Sequence, residues 1–173
     1  MSPAPRKREV CVDSCVLINL AIVSRLDLLR KLSDFDFCIP LEVLNEIKDP
    51  TQKERVNAEI ATGGLRTIKI ESVEELQAYA EYAEQFGKGE AASLAVAKCR
   101  DWVIATDEIK DKRLTREITE RGIQVVNTPG ILLKAIKQGL LSEEEADAIK
   151  TELERNRFRM KFESFREVVE SED

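Results

Sequence analysis

Four carboxylates stand at positions where an α/β chain can put acids to chemical use: Asp13, Glu46, Glu90 and Asp107. Asp13 closes the run Val10-Cys11-Val12 and precedes Ser14, which opens a helix. Asp107 follows the apolar run from Trp102 to Ala105 and is preceded by Thr106. Ligands of open α/β sheets bind at the carboxyl ends of strands, so both aspartates are well placed. Either one also reads as an ordinary helix N-cap. Glu90 falls in the first turn of a helix and shares a face with Leu94 and Ala97. A carboxylate on an apolar face is costly without a partner, although a first-turn glutamate also suits the helix dipole. Glu46 borders the arc of Val43 and Ile47, and taken alone it reads better as a solvated helix edge.

Taken together, the four acids point to one kind of chemistry. Convergent carboxylates repel and raise one another's pKa, and a divalent cation relieves that repulsion. Hard oxygen donors suit Mg2+ or Mn2+. Such an ion lowers the pKa of a water and stabilises an in-line phosphoryl displacement. The chain contains no histidine. That excludes Ser-His-Asp and Cys-His nucleophilic catalysis and histidine-led acid–base work. An Asp13 phosphoryl-acceptor reading is disfavoured, because haloacid-dehalogenase-like phosphatases need a second Asp where Cys15 stands, and receiver domains need acids ahead of the nucleophile.

The elements that must position these acids can be read from pattern. With 173 residues, 43% hydrophobic and 35% charged, the chain is long enough for one domain with a real core. Cys15 to Val23 is the longest apolar run, interrupted by Asn19, and it is too short to span a bilayer. Met1 to Arg8 is basic but lacks the apolar stretch of a signal peptide, so the chain reads as cytoplasmic, without a membrane segment. Cys11, Cys15, Cys38 and Cys99 form no CxxC pair and read as buried free thiols. The net charge of −6 argues mildly against a general nucleic-acid binder, but not against a nuclease with an acidic pocket and a separate basic patch.

Short strand candidates alternate with helices. Strands are expected at 10–12, 35–39, 67–70, 102–105 and 123–126. Helices are expected from Ser14 through Leu32, from Pro40 to before Asp49-Pro50, over 51–61, from the Ser72/Glu75 capping box to Phe86, over 90–99, from Asp107 to the C-cap Gly122, and over 129–138. This order predicts an α/β fold with a mostly parallel sheet of about five strands and helices on both faces. Ser142 with Glu145 opens a further helix to Arg155. Met160, Phe162, Phe165 and Val168-Val169 predict a final amphipathic helix. We therefore expect a domain over 1–141 and a helical extension, 142–173, packed on the same domain.

These residues also resemble a known family. Val12-Asp13-Ser14-Cys15-Val16-Leu17-Ile18, Val43-Leu44-Asn45-Glu46-Ile47, Gly87-Lys88-Gly89-Glu90-Ala91 and Ala105-Thr106-Asp107-Glu108 are similar, in order and spacing, to the four acidic motifs of PIN domains. The likeness spans roughly Val10 to Gln138. The stretch Gly122 to Leu141, with Asn127-Thr128-Pro129-Gly130 and Gly139-Leu140-Leu141, and the tail from Phe158 to Val169 resemble a PIN subgroup similar to the VapC toxins.

The resemblance implies a PIN-like three-layer sandwich and a Mg2+- or Mn2+-dependent single-strand endoribonuclease. Many members are toxins silenced by a small antitoxin, and many form homodimers. By the same likeness and by charge logic, Asp13 and Asp107 ligate the metal and Glu90 completes the site directly or through water. Glu46 holds a water or orients the nucleophile. Asp111 is an additional candidate ligand, and Glu108 could replace Asp107 or Asp111. Ser14 and Thr106 would hydrogen-bond the carboxylates. For RNA grip, Lys110, Lys112, Arg113, Arg116 and Arg121 follow Asp107. Arg155, Arg157, Arg159 and Lys161 alternate with Phe158, Met160 and Phe162 in a pattern suited to stacking bases or docking a partner. The alternative function is a PIN-like module that binds RNA or protein without cleaving it.

Overall fold

A computed structural model describes residues 3, 6–108 and 110–172. Part of the basic N-terminal stretch (Met1, Ser2, Ala4 and Pro5), together with Ile109 and Asp173, lies outside the described residues. Five strands, β1 (Arg8–Val12), β2 (Phe35–Pro40), β3 (Arg66–Ile68), β4 (Val103–Ala105) and β5 (Val125–Val126), form one all-parallel sheet in the order β3-β2-β1-β4-β5. The chain builds outward from β1 to β3, then returns to β4 on the other side of β1. The order therefore reverses between β1 and β4, and their carboxyl ends frame the crevice expected at such a switch point.

The helices are α1 (Ser14–Ile22), α2 (Asp27–Lys31), α3 (Leu41–Glu46), α4 (Pro50–Ala61), α5 (Val73–Ala83), α6 (Lys88–Arg100), α7 (Lys112–Arg121), α8 (Thr128–Lys137), α9 (Glu143–Arg155) and α10 (Phe165–Ser171). Strand side chains alternate between the two faces of the sheet. Val10, Val12, Phe37, Ile39, Val103 and Ala105 join the core under α1, α2, α8, α9 and α10. Ile104 turns the other way, towards α5, α6 and α7, and Cys11 and Cys38 meet Val96 of α6 on that same side. The main core continues without a break into Ala146, Ile149, Leu153, Met160 and Phe165.

Three expectations are corrected. The helix from Ser14 does not run to Leu32. It stops at Ile22, Ser24 takes a left-handed conformation (φ 56°), and Arg25 N–H bonds back to Leu20 C=O at 2.8 Å. This Schellman-type stop lets Leu20 and Leu28 both reach the core. The final helix is also shorter than its apolar pattern suggested. Arg157 is left-handed (φ 68°), Phe158 N–H closes on Leu153 C=O at 2.9 Å, and helix resumes only at Phe165. All four cysteines are free, but only Cys11 and Cys38 are buried. Cys99 is exposed near the end of α6, and Cys15 is half-buried where α1 meets the crevice.

One ion pair pins α5 to α6. Glu75 completes the capping box of Ser72 and accepts from Arg100 Nε at 2.5 Å and from Glu71 N–H at 2.8 Å. The Arg100 hydrogen bond, with those of the Glu71 and Ser72 amides, holds the Glu75 carboxyl down at about 2. A carboxyl lowered by folding stabilises the protein above its unfolded value and loses that contribution as pH falls through the folded one. We expect Glu75→Gln to cost ~1–3 kcal/mol at neutral pH. In denaturant titrations, the gap from the native chain should narrow as pH drops from about 4.5 towards 2.

Candidate functional site

The switch-point crevice is built around Asp13. β1 delivers it beside β4, where its N–H bonds Ala105 C=O at 2.9 Å. Its carboxylate caps α1 through Ser14 N–H at 2.9 Å and accepts from Thr106 Oγ1 at 3.2 Å and from Cys15 Sγ at 3.5 Å. Only 3% of Asp13 is exposed, and burial raises its carboxyl above the usual range.

Glu46 ends α3 and reaches across to the N-terminus of α6. Gly87, the N-cap of α6, offers no side chain, so Gly89 N–H donates to Glu46 Oε1 at 2.7 Å. Ser14 Oγ donates to the other oxygen at 3.5 Å. A Cβ on Gly89 would lie 2.3 Å from Glu46 Oε2. The glycine is therefore what allows the carboxylate to rest on the helix end.

Glu90 follows in the first turn of α6. Its carboxyl is pushed up to about 7, first by burial and then by the charges of Asp13, Glu108, Asp111 and Glu46. Among the described residues, no lysine or arginine forms an ion pair with Asp13, Glu46, Glu90 or Glu108.

Asp107 is placed differently. Its carboxylate turns away from that group and accepts from Asn19 Nδ2 at 2.9 Å, Thr128 N–H at 2.8 Å and Thr128 Oγ1 at 2.5 Å. Burial raises its carboxyl, and these hydrogen bonds oppose the rise. Cys15 Sγ accepts from Asp107 N–H at 3.3 Å, so the thiol lies between the two aspartates. The next residue, Glu108, is the one whose charge Glu90 feels. Asp111 caps α7 through Arg113 N–H at 2.9 Å and sits 3.7 Å from Arg113 Nε, yet it also acts on Glu90.

Sequence reasoning did not pick out Asn19 or Thr128. Their signals were present: Asn19 is the lone polar residue in the apolar run of α1, and Thr128 opens α8 two residues after β5.

Of the expected RNA-gripping cations, Arg113 is committed to Asp111 and lies over Phe86, and Arg121 pairs with Glu117. Lys112 and Arg116 line a shallow cleft on the outer side of α7, whereas Lys110 faces a groove next to Asp107 and Glu108.

The acids supply only oxygen donors, the set a hard divalent cation prefers, and mutual repulsion at Glu90 is the condition such a cation relieves. The residues therefore fit a metal in charge and donor type. Among the described residues, no three His, Cys, Asp or Glu side chains already form a group that could hold a metal, so a cation held by three of these acids would require side-chain rotation.

A parallel sheet with helices on both faces and unpaired acids at its switch point defines an α/β protein with an acid-lined crevice. The chain belongs to the PIN domain family, whose profile matches residues 9–172. PIN domains are in general nucleases that typically use divalent metals, and the family implies interaction with nucleic acid. A comparison with curated proteins returns no match. No helix among the described residues is long and apolar enough to cross a membrane.

Proposed function

We propose that the protein is a Mg2+- or Mn2+-dependent endonuclease for single-stranded RNA, acting through Asp13, Glu46, Glu90 and Glu108. The observation that carries this reading is the carboxyl of Glu90, driven up to about 7 by burial and by four acids that three segments bring to it, the residue after β1, helix α3 and the stretch after β4. A divalent cation held there would acidify a water and offset charge on the phosphate under attack.

The protein's own residues do the positioning. Ser14 N–H and Thr106 fix the rotamer of Asp13, and Gly89 N–H fixes Glu46. Asp107 ties β4 to α1 and α8 through Asn19 and Thr128, which orients the adjacent Glu108. In this reading Asp107 is a positioning residue and Glu108 takes the place of a ligand.

Incubation of the protein with labelled single-stranded RNA, with Mn2+ or with EDTA, tests this directly. Cleavage is expected only with metal. Glu108→Gln should remove it without changing the melting temperature. Asp107→Asn should lower both, because an amide cannot accept all three hydrogen bonds and one buried donor is left unmet, at ~1–3 kcal/mol. Cleavage that persists in EDTA, or a folded protein that neither binds metal in calorimetry nor cuts RNA, would sink the proposal.

A further inference from the structure

A groove of about 690 Å3 opens beside the acidic crevice. It is lined by Asp107, Glu108 and Lys110 and by a wall formed by the connection between α9 and α10, residues 156–162. In that connection Arg157, Arg159 and Lys161 are exposed, while Phe158, Met160 and Phe162 turn inward. Met160 is buried and joins the main core, with Phe158 and Phe162 packed against it. Phe162 stacks edge-on against Phe165 at 4.9 Å, and Phe165 N–H is anchored by Asp147 at 2.8 Å. The wall is thus fixed by packing rather than left as a loose tail.

Charge decides what the wall can receive. The chain carries a net charge of −6, and among the described residues twelve lysines and arginines are held in ion pairs with acids. Among the described residues, Lys110, Arg157, Arg159 and Lys161 form none. Free cations therefore line a groove that ends at acids, an arrangement that favours a polyanion whose far end meets a metal. Arg157, Arg159 and Lys161 stand at alternate positions of this irregular connection, and all three line the groove. The single-stranded RNA of the proposed reaction is such a polyanion.

We infer that the wall formed by Arg157, Arg159 and Lys161 seats the sugar–phosphate backbone of single-stranded RNA flanking the cleavage point, as the substrate track of this protein. The inference rests on the nuclease reading for its direction, but its binding claim can be tested apart from cleavage. The track lies on the C-terminal connection and not on the outer side of α7, where Lys112 and Arg116 stand.

The test measures anisotropy of a fluorescein-labelled 12-nucleotide single-stranded RNA in EDTA, over a series of salt concentrations. It compares the full chain with the triple variant Arg157→Gln/Arg159→Gln/Lys161→Gln and with Lys112→Gln/Arg116→Gln. Each phosphate contact on a single strand contributes about 0.7 to the slope of log K against log salt. The triple variant should lose about 2 from that slope and bind roughly 10- to 100-fold more weakly at low salt. The α7 variant should change little. Hydrolysis of bis(p-nitrophenyl) phosphate with Mn2+, a diester too small to reach the wall, should be unaffected in the triple variant. None of the three side chains forms an ion pair, so its thermal melt should match that of the native chain.

Unchanged RNA affinity and slope in the triple variant would overturn the inference and leave this wall to a protein partner, as would native chain that binds no RNA. Native chain that binds RNA through this wall but, supplied with Mn2+, neither binds the metal in calorimetry nor cuts the RNA would overturn the nuclease reading and uphold the track.

Discussion

Asp13→Asn will lower metal-dependent RNA cleavage by roughly 10^3-fold, since loss of several kcal/mol of electrostatic stabilisation at ~1.4 kcal/mol per tenfold amounts to that much. The asparagine keeps an acceptor for Ser14 N–H, so the start of α1 survives. What disappears is the negative charge that contributes most, after burial, to the raised carboxyl of Glu90. The metal-free variant should therefore be no less stable than the native chain at neutral pH, and loss of activity without loss of melting temperature separates this result from misfolding.

The same logic fixes the pH dependence. Glu90 binds its proton more tightly folded than unfolded, so the metal-free protein loses stability as pH rises from about 4.5 through about 7. A divalent cation favours the ionised carboxylates and must displace that proton. Mn2+ should accordingly raise the melting temperature of the native chain more at pH 8 than at pH 5. Asp13→Asn should abolish most of that rise. A variant that retained both cleavage and the Mn2+-induced shift would remove Asp13 from the centre.

Gly89→Ala will cut cleavage by roughly 10- to 100-fold, the usual effect of disturbing a group that orients a metal's ligands, while leaving stability almost unchanged. The new methyl would fall 2.3 Å from Glu46 Oε2 and 2.6 Å from Cδ, so the carboxylate must swing off the end of α6. Its loss as a cap costs ~0.5–2 kcal/mol. Against this, alanine is ~0.8–1 kcal/mol better than glycine inside a helix. The two terms nearly cancel, because the clash is with the flexible end of a side chain and not with backbone. Chemical denaturation should show a change within ~1 kcal/mol, and the cleavage assay should show the large effect. Wild-type cleavage by this variant would mean that Glu46 needs no fixed position.

Much of this architecture is local, and local features are legible in sequence. The parallel α/β plan follows from strands and helices in alternation. The Ser72 capping box and the Gly122 C-cap follow from short motifs whose hydrogen bonds involve near neighbours. Asp13, Glu46 and Glu90 could be picked out because each sits at an element end, or on a face with a definite period. The break after Ile22 was not legible, since no glycine or proline marks it; it is forced by the need of Leu20 and Leu28 to reach one core.

The direction in which each acid points was decided only by the tertiary structure. Asp107 and Glu108 are neighbours with the same charge, and nothing in their local sequence says which one faces Glu90. Donors from α1 and α8, brought to β4 by the sheet order, draw the carboxylate of Asp107 towards Asn19 and Thr128. That leaves Glu108 to act on Glu90. The basic wall has the same origin. Residues 157–161 face Glu108 from about 50 positions away only because Met160 and Phe165 find the common core. Sequence determined which groups were available, and long-range packing chose their partners, because hydrogen bonds and burial act on distance in space rather than along the chain.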